Sequence, residues 1–493
     1  MNTTFSHFNR PYSWKNLSFL FIAAFILRAL FFFFYVQHEE RYRQADSMDY
    51  HACAVSLGAG FGLVHPQHRK PIFWRVPGYP YYLSKFYTSY GLKDPRFEGN
   101  REAQKASIWF QIFLCSFTPI LTFFLALFLT GSLALAWITG WIFVFHVGFI
   151  LASTYLLTDG LATLFFLMFL ILFYLCFNFI GEQRHLSANK YLYCIGAALT
   201  LSAYTWMRPN GEFIALLALI IFALAAGTWR KKVVMMILFF SVFFSSISPW
   251  YFRNYRLTEK WFFCPMSGPY HLAFTAPKIL RRVTKQPLDI CLKYLFYQTK
   301  QELDRQEKEL KITSPHLYVP QELVCGSIAR QWLTKYPHYL ACDWAREVSK
   351  ATFDLYSSQL VAFANNSYTY DPIEEFLTEK LKNCIYKQAM PWWMRLVCWL
   401  ELIFSLCVWF GLFGGLIYYV ILPLFYLIRK KQPLHAVSLL WIKTGLMIGG
   451  LLFMTGGFGY ARLRMPPEAL MIILSLTFWY WFLEKKHLEE LTQ

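Results

Sequence analysis

The stretch that decides the fold is ASIWFQIFLCSFTPILTFFLALFLTGSLALAWITGWIFVFHVGFIL, residues 106–151. It contains no Asp, Glu, Lys or Arg. A helix that crosses the hydrocarbon core of a membrane needs about 20 mostly apolar residues. The stretch is therefore long enough for two such helices with a very short turn near 130–131 between them. These residues predict an all-α membrane protein that crosses the bilayer more than once.

Apolar blocks of similar length recur along the chain and predict about ten spans. They cover residues 14–36, 106–129, 132–151, 160–180, 190–206, 211–227, 233–252, 397–428, 435–457 and 466–483. The block 397–428 is long for one helix, and two pairs of blocks are joined by very short turns. The number of spans is therefore open by one or two.

The composition excludes several classes of protein. The chain has 493 residues, of which 56% are hydrophobic and 15% charged, whereas a soluble domain is about 25% charged. Disorder is excluded, because disordered chains have low hydrophobicity. The net charge of +18 would suit nucleic-acid binding in a soluble protein, but the apolar blocks predict membrane lipids as partners and no nucleic acid. The eleven cysteines show no zinc spacing, and disulfide pairing within 253–396 is left open.

The distribution of Lys and Arg orients the chain, because cytoplasmic loops carry an excess of these residues. With the N-terminus in the cytoplasm, every short cytoplasmic segment except the turn at 130–131 carries Lys or Arg. These segments are the N-terminus, 181–190, 228–232, 429–434 and the C-terminal tail. We therefore expect both termini in the cytoplasm and two long segments, 37–105 and 253–396, on the external side.

This topology divides the chain into three parts. Residues 1–252 form an N-terminal transmembrane module, whose first external loop, 37–105, is the expected catalytic loop. Residues 253–396 form an external loop or domain, and residues 397–493 form the C-terminal transmembrane helices. No internal repeat is visible, which weakens the case for an inverted-repeat transporter.

Charged residues that apolar packing does not explain gather on the external side. They are Asp46, Asp49, Asp159, Arg208, Arg253, Arg462 and Arg464. They are far apart in the sequence but share one membrane face, so a packed bundle can bring them around one cavity. Charges at membrane depth are costly, which makes these residues candidates for a functional site. The alternative is that each is an ordinary charge at a helix end.

The most informative part of the first external loop is RYRQADSMDYHACAVSLGAGFGLVHPQHRKPIFWRVPGYPYYLSKFY, residues 41–87. Asp46 lies near the N-cap of a predicted helix, and Asp49 follows on the same helix face. The glycines of GAGFG end this helix, and the aromatic segment after Arg75 is suited to the membrane interface. An N-cap needs Asp46 alone, so the second carboxylate, Arg75 and the nearby tyrosines favour the wall of a cavity.

Several segments of the chain resemble motifs of one group of membrane enzymes, and they follow that group's order. They are ADSMDYHACAVSLGAGFG with WRVPGYPYYL, LLTDGLATL, WMRPNG, SPWYFRNY and RLRMPPEAL. The chain thereby resembles polyprenyl-phosphate-sugar-dependent glycosyltransferases of the GT-C superfamily. The most similar type is the family-39-like bacterial group of protein mannosyltransferases and lipid A aminoarabinose transferase. The resemblance covers most of residues 14–254 and 458–480, and none of 255–396.

The resemblance implies a GT-C-like bundle of about ten to twelve transmembrane helices, with amphipathic helices in the first external loop, in a bacterial inner membrane. It implies that a sugar moves from a polyprenyl-phosphate donor to a lipid, protein or cell-envelope glycan, with inversion, on the periplasmic face. Two alternatives stay open. One is a carrier or flippase of lipid-linked sugars, and the other is an oligosaccharide ligase or polymerase.

The resemblance also implies roles for single residues. Asp46 takes the place of the family's first-loop acid and is the expected catalytic base, and Asp49 and Asp159 are the expected acceptor-side carboxylates. Arginine binds phosphate bidentately, so the donor-phosphate candidates are Arg75, Arg253, Arg464, Arg208, Arg462 and Arg28. The candidates for the lipid and sugar pocket are Tyr50, Tyr79, Tyr82, Trp250 and Asn254.

Three points stay open at this stage. Asp46 and Asp49 are also candidate ligands of a divalent cation. The aminoarabinose transferase pattern has adjacent Asp and Glu, whereas Ser47 follows Asp46 here, which bears on any role that needs neighbouring carboxylates. For the arginines, the alternative is contact with lipid headgroups. Arg28, inside the first span, either faces the bundle or marks a helix that sits lower in the membrane.

Overall fold

The structure, a computed structural model, is mostly helical in the part of the chain that it describes. The described residues are 13–37, 41–43, 45–65, 69–91, 100–180, 188–224, 228–357, 391–430, 436–454 and 461–491. Among these residues no strand occurs, and their extended pairing is limited to an isolated antiparallel bridge between Val64 and Pro71. The predicted all-α fold class is confirmed.

The described residues up to Thr258 contain helices α1 to α11. Their bounds are α1 Trp14–Phe31 with a π-helical turn Phe32–Val36, α2 Ala45–Gly58, α3 Gly78–Ser89, α4 Arg101–Cys115, α5 Thr118–Thr130, α6 Leu133–Phe145, α7 Val147–Thr154, α8 Asp159–Ile180, α9 Ala188–Met207, α10 Gly211–Ala223 and α11 Trp229–Thr258. The short helices α2 and α3 lie in the 37–105 loop, where amphipathic helices are expected.

The rest of the described chain contains helices α12 to α20. Their bounds are α12 Ser267–Tyr270 with a π-helical turn His271–Thr275, α13 Ala276–Thr284, α14 Leu288–Thr313, α15 Gln321–Lys335, α16 Pro337–Phe353, α17 Trp392–Leu416 with a π-helical turn Ile417–Ile421, α18 Leu422–Lys430, α19 Ala436–Met454 and α20 Ala461–Leu491. Part of the predicted external segment, 358–390, lies outside the described residues.

Seven of the described helical segments are long and apolar enough to cross a membrane, or eight if α6 and α7 count as one span. The chain is therefore a multi-pass integral membrane protein, but seven or eight spans are fewer than the ten predicted. The two predicted spans that are not among them are 190–206 and 211–227. The helix α9 does not reach the apolarity of the seven, and α10 has only 13 residues, whereas a span needs about 20.

The predicted span 132–151 is broken at His146. The backbone of His146 is extended, with φ −65° and ψ 116°, and its amide does not continue the helix. The helices α6 and α7 meet there at 50°. The sequence shows no Pro or Gly at this position, which is why the break is not predicted from it.

The most buried of these candidate spans is Asp159–Cys176 of α8, in which 78% of the residues are buried inside the protein. It packs against α4, α5, α7, α9 and α20. The N-terminal end of α8, at Asp159, therefore lies in the middle of the bundle, where the ends of several other helices surround it.

The 37–105 loop is fixed to the bundle at both of its helices. Ser47 of α2 donates a hydrogen bond to the Leu156 carbonyl at 2.9 Å. In α3, a Cβ atom on Gly78 would lie 2.4 Å from the carbonyl oxygen of Trp206. Only glycine permits this approach, so α3 begins against the end of α9.

We expect Gly78→Ala to lower the apparent Tm of the purified protein, because overpacking at a backbone contact costs about 1–3 kcal/mol. Gly445→Ala is the matched control, because no atom lies within 4 Å of its added Cβ. Thermal unfolding in detergent measures both variants. Equal Tm values for wild type and Gly78→Ala would show that α3 does not meet α9 this closely.

The described part of the 253–396 segment has its own small core. It consists of Leu272, Ala276, Leu280, Cys291, Leu295, Cys325, Ile328 and Ala329, contributed by the turn after α12 and by α13, α14 and α15. Cys264, Cys291, Cys325 and Cys342 are free thiols in the structure, and Cys384 lies outside the described residues. Helix α16 connects this core to the bundle by packing against α19 and α20.

Candidate active site

The ends of four helices meet at one end of the bundle and bring distant charged residues together. The helices α2, α8 and α20 begin there, and α9 ends there. The residues that they assemble are Asp46, Asp49, Tyr50, Arg75, Asp159, Arg208 and Arg462. We call this set the carboxylate–arginine network.

Asp46 is held by two arginines from opposite ends of the chain. Its Oδ1 accepts a hydrogen bond from Nη2 of Arg75 at 2.8 Å, and its Oδ2 accepts one from Nη2 of Arg462 at 2.6 Å. Hydrogen bonds between ionised partners are about twice as strong as neutral ones. Each carboxylate oxygen thus faces a guanidinium group, an arrangement that a simple helix cap does not require.

Arg75 also joins Asp49 and Tyr50 to the network. Its Nη2 and Nε donate to Oδ2 of Asp49 at 2.7 and 3.2 Å. Its guanidinium carbon lies 4.7 Å from the centroid of the Tyr50 ring, and its Nη1 donates to the Tyr50 hydroxyl at 3.4 Å. Because residues three apart lie on one face of a helix, Asp46 and Asp49 can share this one cation.

Asp159 forms the buried half of the network. Its Oδ1 accepts a hydrogen bond from Arg208 and lies 3.8 Å from Nε of Arg462. The side chain of Asp159 is 2% exposed, whereas those of Asp46 and Asp49 are 20% and 41% exposed. A substrate therefore has access to Asp46 and Asp49, while Asp159 holds Arg208 and Arg462 from behind.

The charges of the network balance, with the three carboxylates of Asp46, Asp49 and Asp159 against the three guanidinium groups of Arg75, Arg208 and Arg462. Burial alone would favour the protonated form of Asp46. The charges of Arg462 and Arg75 outweigh burial and hold the pKa of the Asp46 carboxyl well below its usual range. Asp46 is therefore ionised at neutral pH.

The start of the 253–396 segment covers the network. The Sδ atom of Met266 lies 3.9 Å from Nη1 of Arg75. Tyr270 lies close enough to Asp46 for that charge to act on its hydroxyl. Burial, followed by the charge of Asp46, raises the pKa of Tyr270 to about 12. The Tyr270 hydroxyl therefore stays protonated and is able to donate a hydrogen bond.

Arg253 binds the backbone of the 37–105 loop. Its Nη1 and Nη2 donate to the carbonyls of Ile72 and Leu63, each at 3.0 Å. Its Nη1 also donates to the side-chain oxygen of Asn254 at 2.8 Å, and its guanidinium carbon lies 4.4 Å from the Trp250 ring centroid. Arg253 thus holds the loop against α11, whereas Trp250 and Asn254 donate hydrogen bonds to the carbonyls of Phe262 and Phe263.

Arg464 points away from the network, although it lies only two residues from Arg462. Its Nη1 donates to the carbonyls of Ala351, Thr352 and Asp354, and its Nε donates to Oε2 of Glu468 at 2.6 Å. The whole side chain is buried. Arg464 therefore connects α20 to the end of α16.

Arg28 also lies outside the network. It is completely buried and faces the bundle, and it donates to the carbonyls of Ala24 at 3.1 Å and Phe143 at 3.2 Å. The Phe143 carbonyl is near the break at His146, where the helical hydrogen-bond pattern ends. Arg28 therefore serves a backbone carbonyl group that the broken helix leaves without a helical donor.

The candidate tyrosines of the pocket form a row that leads away from Arg75. The rings of Tyr50 and Tyr79 are 5.1 Å apart, and those of Tyr79 and Tyr82 are 5.7 Å apart. The Tyr82 ring in turn contacts Phe86 and the half-exposed Phe110. Tyr50 thus belongs to the network, while Tyr82 lies where the row reaches the apolar surface of the bundle.

The described residues contain no group of three or more His, Cys, Asp or Glu side chains placed to hold a metal ion. At the predicted candidate site, both oxygens of Asp46 and Oδ2 of Asp49 already accept hydrogen bonds from arginines. A cation at Asp46 and Asp49 would therefore have to displace Arg75.

Sequence reasoning missed a second buried polar cluster, which surrounds Glu468. Besides Arg464, Glu468 is bound by the Tyr356 hydroxyl at 3.2 Å, and Nε2 of His146 lies 3.6 Å away. Glu401 of α17 accepts the amide of Tyr356 at 2.6 Å. The one available signal was the spacing of Arg464 and Glu468, since residues four apart pair on a helix.

Comparisons with known proteins locate this architecture among solved structures. No protein-family model and no curated protein matches the chain. The crystal structure of the Archaeoglobus fulgidus oligosaccharyltransferase in its apo form matches with a TM-score of 0.51 and 12% identity, over 98% of this chain and 52% of that chain. The same enzyme tethered to an acceptor peptide with the NVT sequon gives a TM-score of 0.52 at 12% identity, over 98% and 51%. The chain has the GT-C fold.

At this identity the likeness concerns the fold alone, and the chain spans about half the length of the oligosaccharyltransferase that it matches. A further match, ArnT from Cupriavidus metallidurans bound to undecaprenyl phosphate, has a TM-score of 0.34 at 12% identity, over 90% of this chain and 77% of that chain. That score is too low to add to the assignment. The GT-C-like bundle with helices in its first loop is confirmed.

Proposed function

We propose that the protein is a membrane glycosyltransferase that moves a sugar from a polyprenyl-phosphate donor to a lipid, protein or cell-envelope glycan acceptor. We place it in a bacterial inner membrane with both termini in the cytoplasm, so that the network lies on the external, periplasmic face. The observation that carries the proposal is Asp46, an accessible carboxylate held by two arginines at the end of a GT-C bundle. The acceptor peptide bound by the oligosaccharyltransferase of the same fold supports a transfer reaction.

The network contains the groups that an inverting transfer needs. The acceptor hydroxyl oxygen attacks the anomeric carbon and forms the new glycosidic bond. The bond between that carbon and the phosphate oxygen breaks, and the polyprenyl phosphate leaves. Asp46 takes the proton of the attacking hydroxyl as general base, and Arg75 and Arg462 bind the leaving phosphate as its negative charge develops.

The same two arginines give Asp46 a different basicity before and after the donor binds. In the free protein they lower its affinity for protons, which makes it a weak base. A donor phosphate bound to Arg75 and Arg462 shares their charge and places another anion near Asp46. Both effects raise the pKa of the carboxyl, so donor binding makes Asp46 a stronger base.

Other residues in and around the network hold these groups in place. The buried Asp159 pairs with Arg208 and lies near Arg462, which positions Arg462. Arg253 holds the loop that carries Arg75. Tyr82 and the half-exposed Phe110, where the tyrosine row reaches the apolar surface, suit the isoprene units of the donor.

We expect kcat/KM for the donor and kcat to depend on pH in different ways. The pH profile of kcat/KM reports the free enzyme, in which the pKa of Asp46 is depressed, so its acid limb should lie below about pH 4. The profile of kcat reports the donor complex, and its acid limb should lie at higher pH. Steady-state rates measured between pH 4 and 9 at saturating acceptor provide the test. If kcat/KM and kcat fell at the same acidic pH, donor binding would not raise the pKa of Asp46.

The function itself is tested in cells and with the purified protein. Mass spectrometry of glycolipids and glycoproteins from cells with and without the gene should show one acceptor class that loses a sugar. Purified protein in nanodiscs should transfer that sugar from its polyprenyl-phosphate donor. If the deletion strain had unchanged acceptors and the purified protein moved lipid-linked sugar across the membrane of vesicles, the protein would be a carrier and not a transferase.

A further inference from the structure

A cleft of about 430 Å³ lies beside the network, between the 37–105 loop and the 253–396 segment. One wall is formed by residues 70–74, and the other by the C-terminal half of α14 with residues 315–322. The volume is within the range of small-molecule sites, about 300–1,000 Å³. Trp74 in the cleft wall directly precedes Arg75 of the network, and the Cα atoms of consecutive residues are about 3.8 Å apart.

The lining combines aromatic rings with balanced charges. Trp74 and Tyr318 contribute large side chains that are partly exposed. The charged residues of the lining are two lysines and two glutamates, Lys70, Lys311, Glu307 and Glu322. A strongly anionic or cationic ligand would gain little net attraction from such a set. The lining therefore suits a neutral ligand with many hydroxyl groups and a flat apolar face.

Glu322 is a buried carboxyl that lacks a full set of partners. It is 5% exposed, and its Oε2 has no hydrogen-bond partner in the described part of the chain. A buried polar atom without a partner is costly. It also calls for an explanation such as a ligand. Glu322 also lines the cleft, so a rotation of its side chain toward the cleft would bring Oε2 to a ligand hydroxyl group and remove this cost.

The backbone of the cleft wall leaves little for a peptide to bind. The amide of Ile72 donates to the Leu63 carbonyl, and the Ile72 carbonyl accepts from Arg253. Val64 and Pro71 close the same segment by an antiparallel bridge. Addition of a peptide strand needs free backbone groups along an edge. Recognition by side chains is thus favoured in this cleft.

We infer that the cleft is a subsite for a short neutral glycan, whose hydroxyl groups bind Glu322 and Glu307 and whose sugar rings stack on Tyr318. The inference rests on the proposed function, in which that glycan is part of the donor or of the acceptor. The Lys70–Glu307 ion pair, at 3.4 Å, joins the two walls at their exposed edge. Exposed pairs of this kind contribute little stability, so the pair can open when the glycan enters.

Direct binding tests the subsite without any transfer reaction. Saturation-transfer NMR on the full chain in nanodiscs would use mannotetraose, chitotetraose and a neutral hexapeptide as probes. We expect one tetrasaccharide to bind and its Kd to rise about tenfold in Tyr318→Ala, a loss of about 1.4 kcal/mol. Tyr297→Ala on α14 is the matched control, because Tyr297 is 60% exposed and does not line the cleft.

Three results would overturn the subsite: no binding of either tetrasaccharide, binding that Tyr318→Ala leaves unchanged, or binding of the hexapeptide that Tyr318→Ala abolishes. Glu322→Gln should also weaken binding of the tetrasaccharide, since it replaces a hydrogen-bond acceptor oxygen without changing the shape of the side chain. Binding of the tetrasaccharide by a protein that transfers no sugar would refute the proposed function and leave the subsite standing.

Transfer kinetics identify which substrate carries the glycan. If it belongs to the acceptor, Tyr318→Ala should raise the KM for the acceptor and leave the KM for the donor and kcat unchanged. If it belongs to the donor, the KM for the donor should rise instead. Unchanged KM values for both substrates would contradict the subsite.

Discussion

Asp46→Asn is expected to lower kcat by two to four orders of magnitude, the usual contribution of a general base. The asparagine has the same shape and keeps one oxygen for Arg75 or Arg462, but it does not take the proton of the acceptor hydroxyl. Initial rates with a defined polyprenyl-phosphate sugar measure the effect. The apparent Tm of the variant shows whether the protein still folds and inserts.

The control for Asp46→Asn is Asp289→Asn, which also removes one negative charge. Asp289 is 66% exposed at the start of α14 and pairs only loosely with Lys293, at 3.6 Å. Its replacement should leave kcat unchanged. If Asp46→Asn retained full activity, Asp46 would not be the base, and the most exposed carboxylate of the network, Asp49, would be the next candidate.

Glu468→Leu is expected to lower the apparent Tm further than Gly78→Ala does. It leaves the Arg464 guanidinium buried within the bundle without the carboxylate that binds its Nε, and breaking a buried ion pair costs about 3–5 kcal/mol. Thermal unfolding in detergent provides the measurement. The exposed pair of Arg305 and Glu309 supplies the control, because Glu309→Leu should leave the Tm unchanged.

A double variant shows whether the charge is the cause of this loss. Arg464→Met with Glu468→Leu removes both charges and keeps apolar volume, which often restores the stability that a single change removes. We expect the double variant to unfold at a higher temperature than Glu468→Leu alone. A lower Tm would mean that the hydrogen bonds from Arg464 to the end of α16 are more important than its pairing with Glu468.

The sequence was sufficient for the fold class and for much of the network. Long apolar blocks have few structural solutions in a membrane, so the helical bundle follows from them directly. Asp46, Asp49 and Arg75 are close in the sequence. Arg208 and Arg462 were grouped with them because the predicted topology placed their helix ends on one face.

The sequence could not show where each arginine points. Arg462 and Arg464 are two residues apart, which on a helix means different faces, and only the packing of α20 decides which of them meets Asp46. Arg253 binds backbone carbonyls, whose positions depend on the folded loop. The cluster of Glu468, Tyr356, His146 and Glu401 was missed because its members come from four separate segments.

The contact between Asp46 and Arg462 joins residues that are 416 positions apart. During synthesis, Asp46 emerges long before its second arginine exists. The ribosome adds about 5–20 residues per second, so the delay lasts roughly 20–80 seconds. Throughout this time the nascent chain holds a half-built site in the membrane. The network is therefore complete only when α20 has inserted into the membrane, so the activity proposed above would begin at that step.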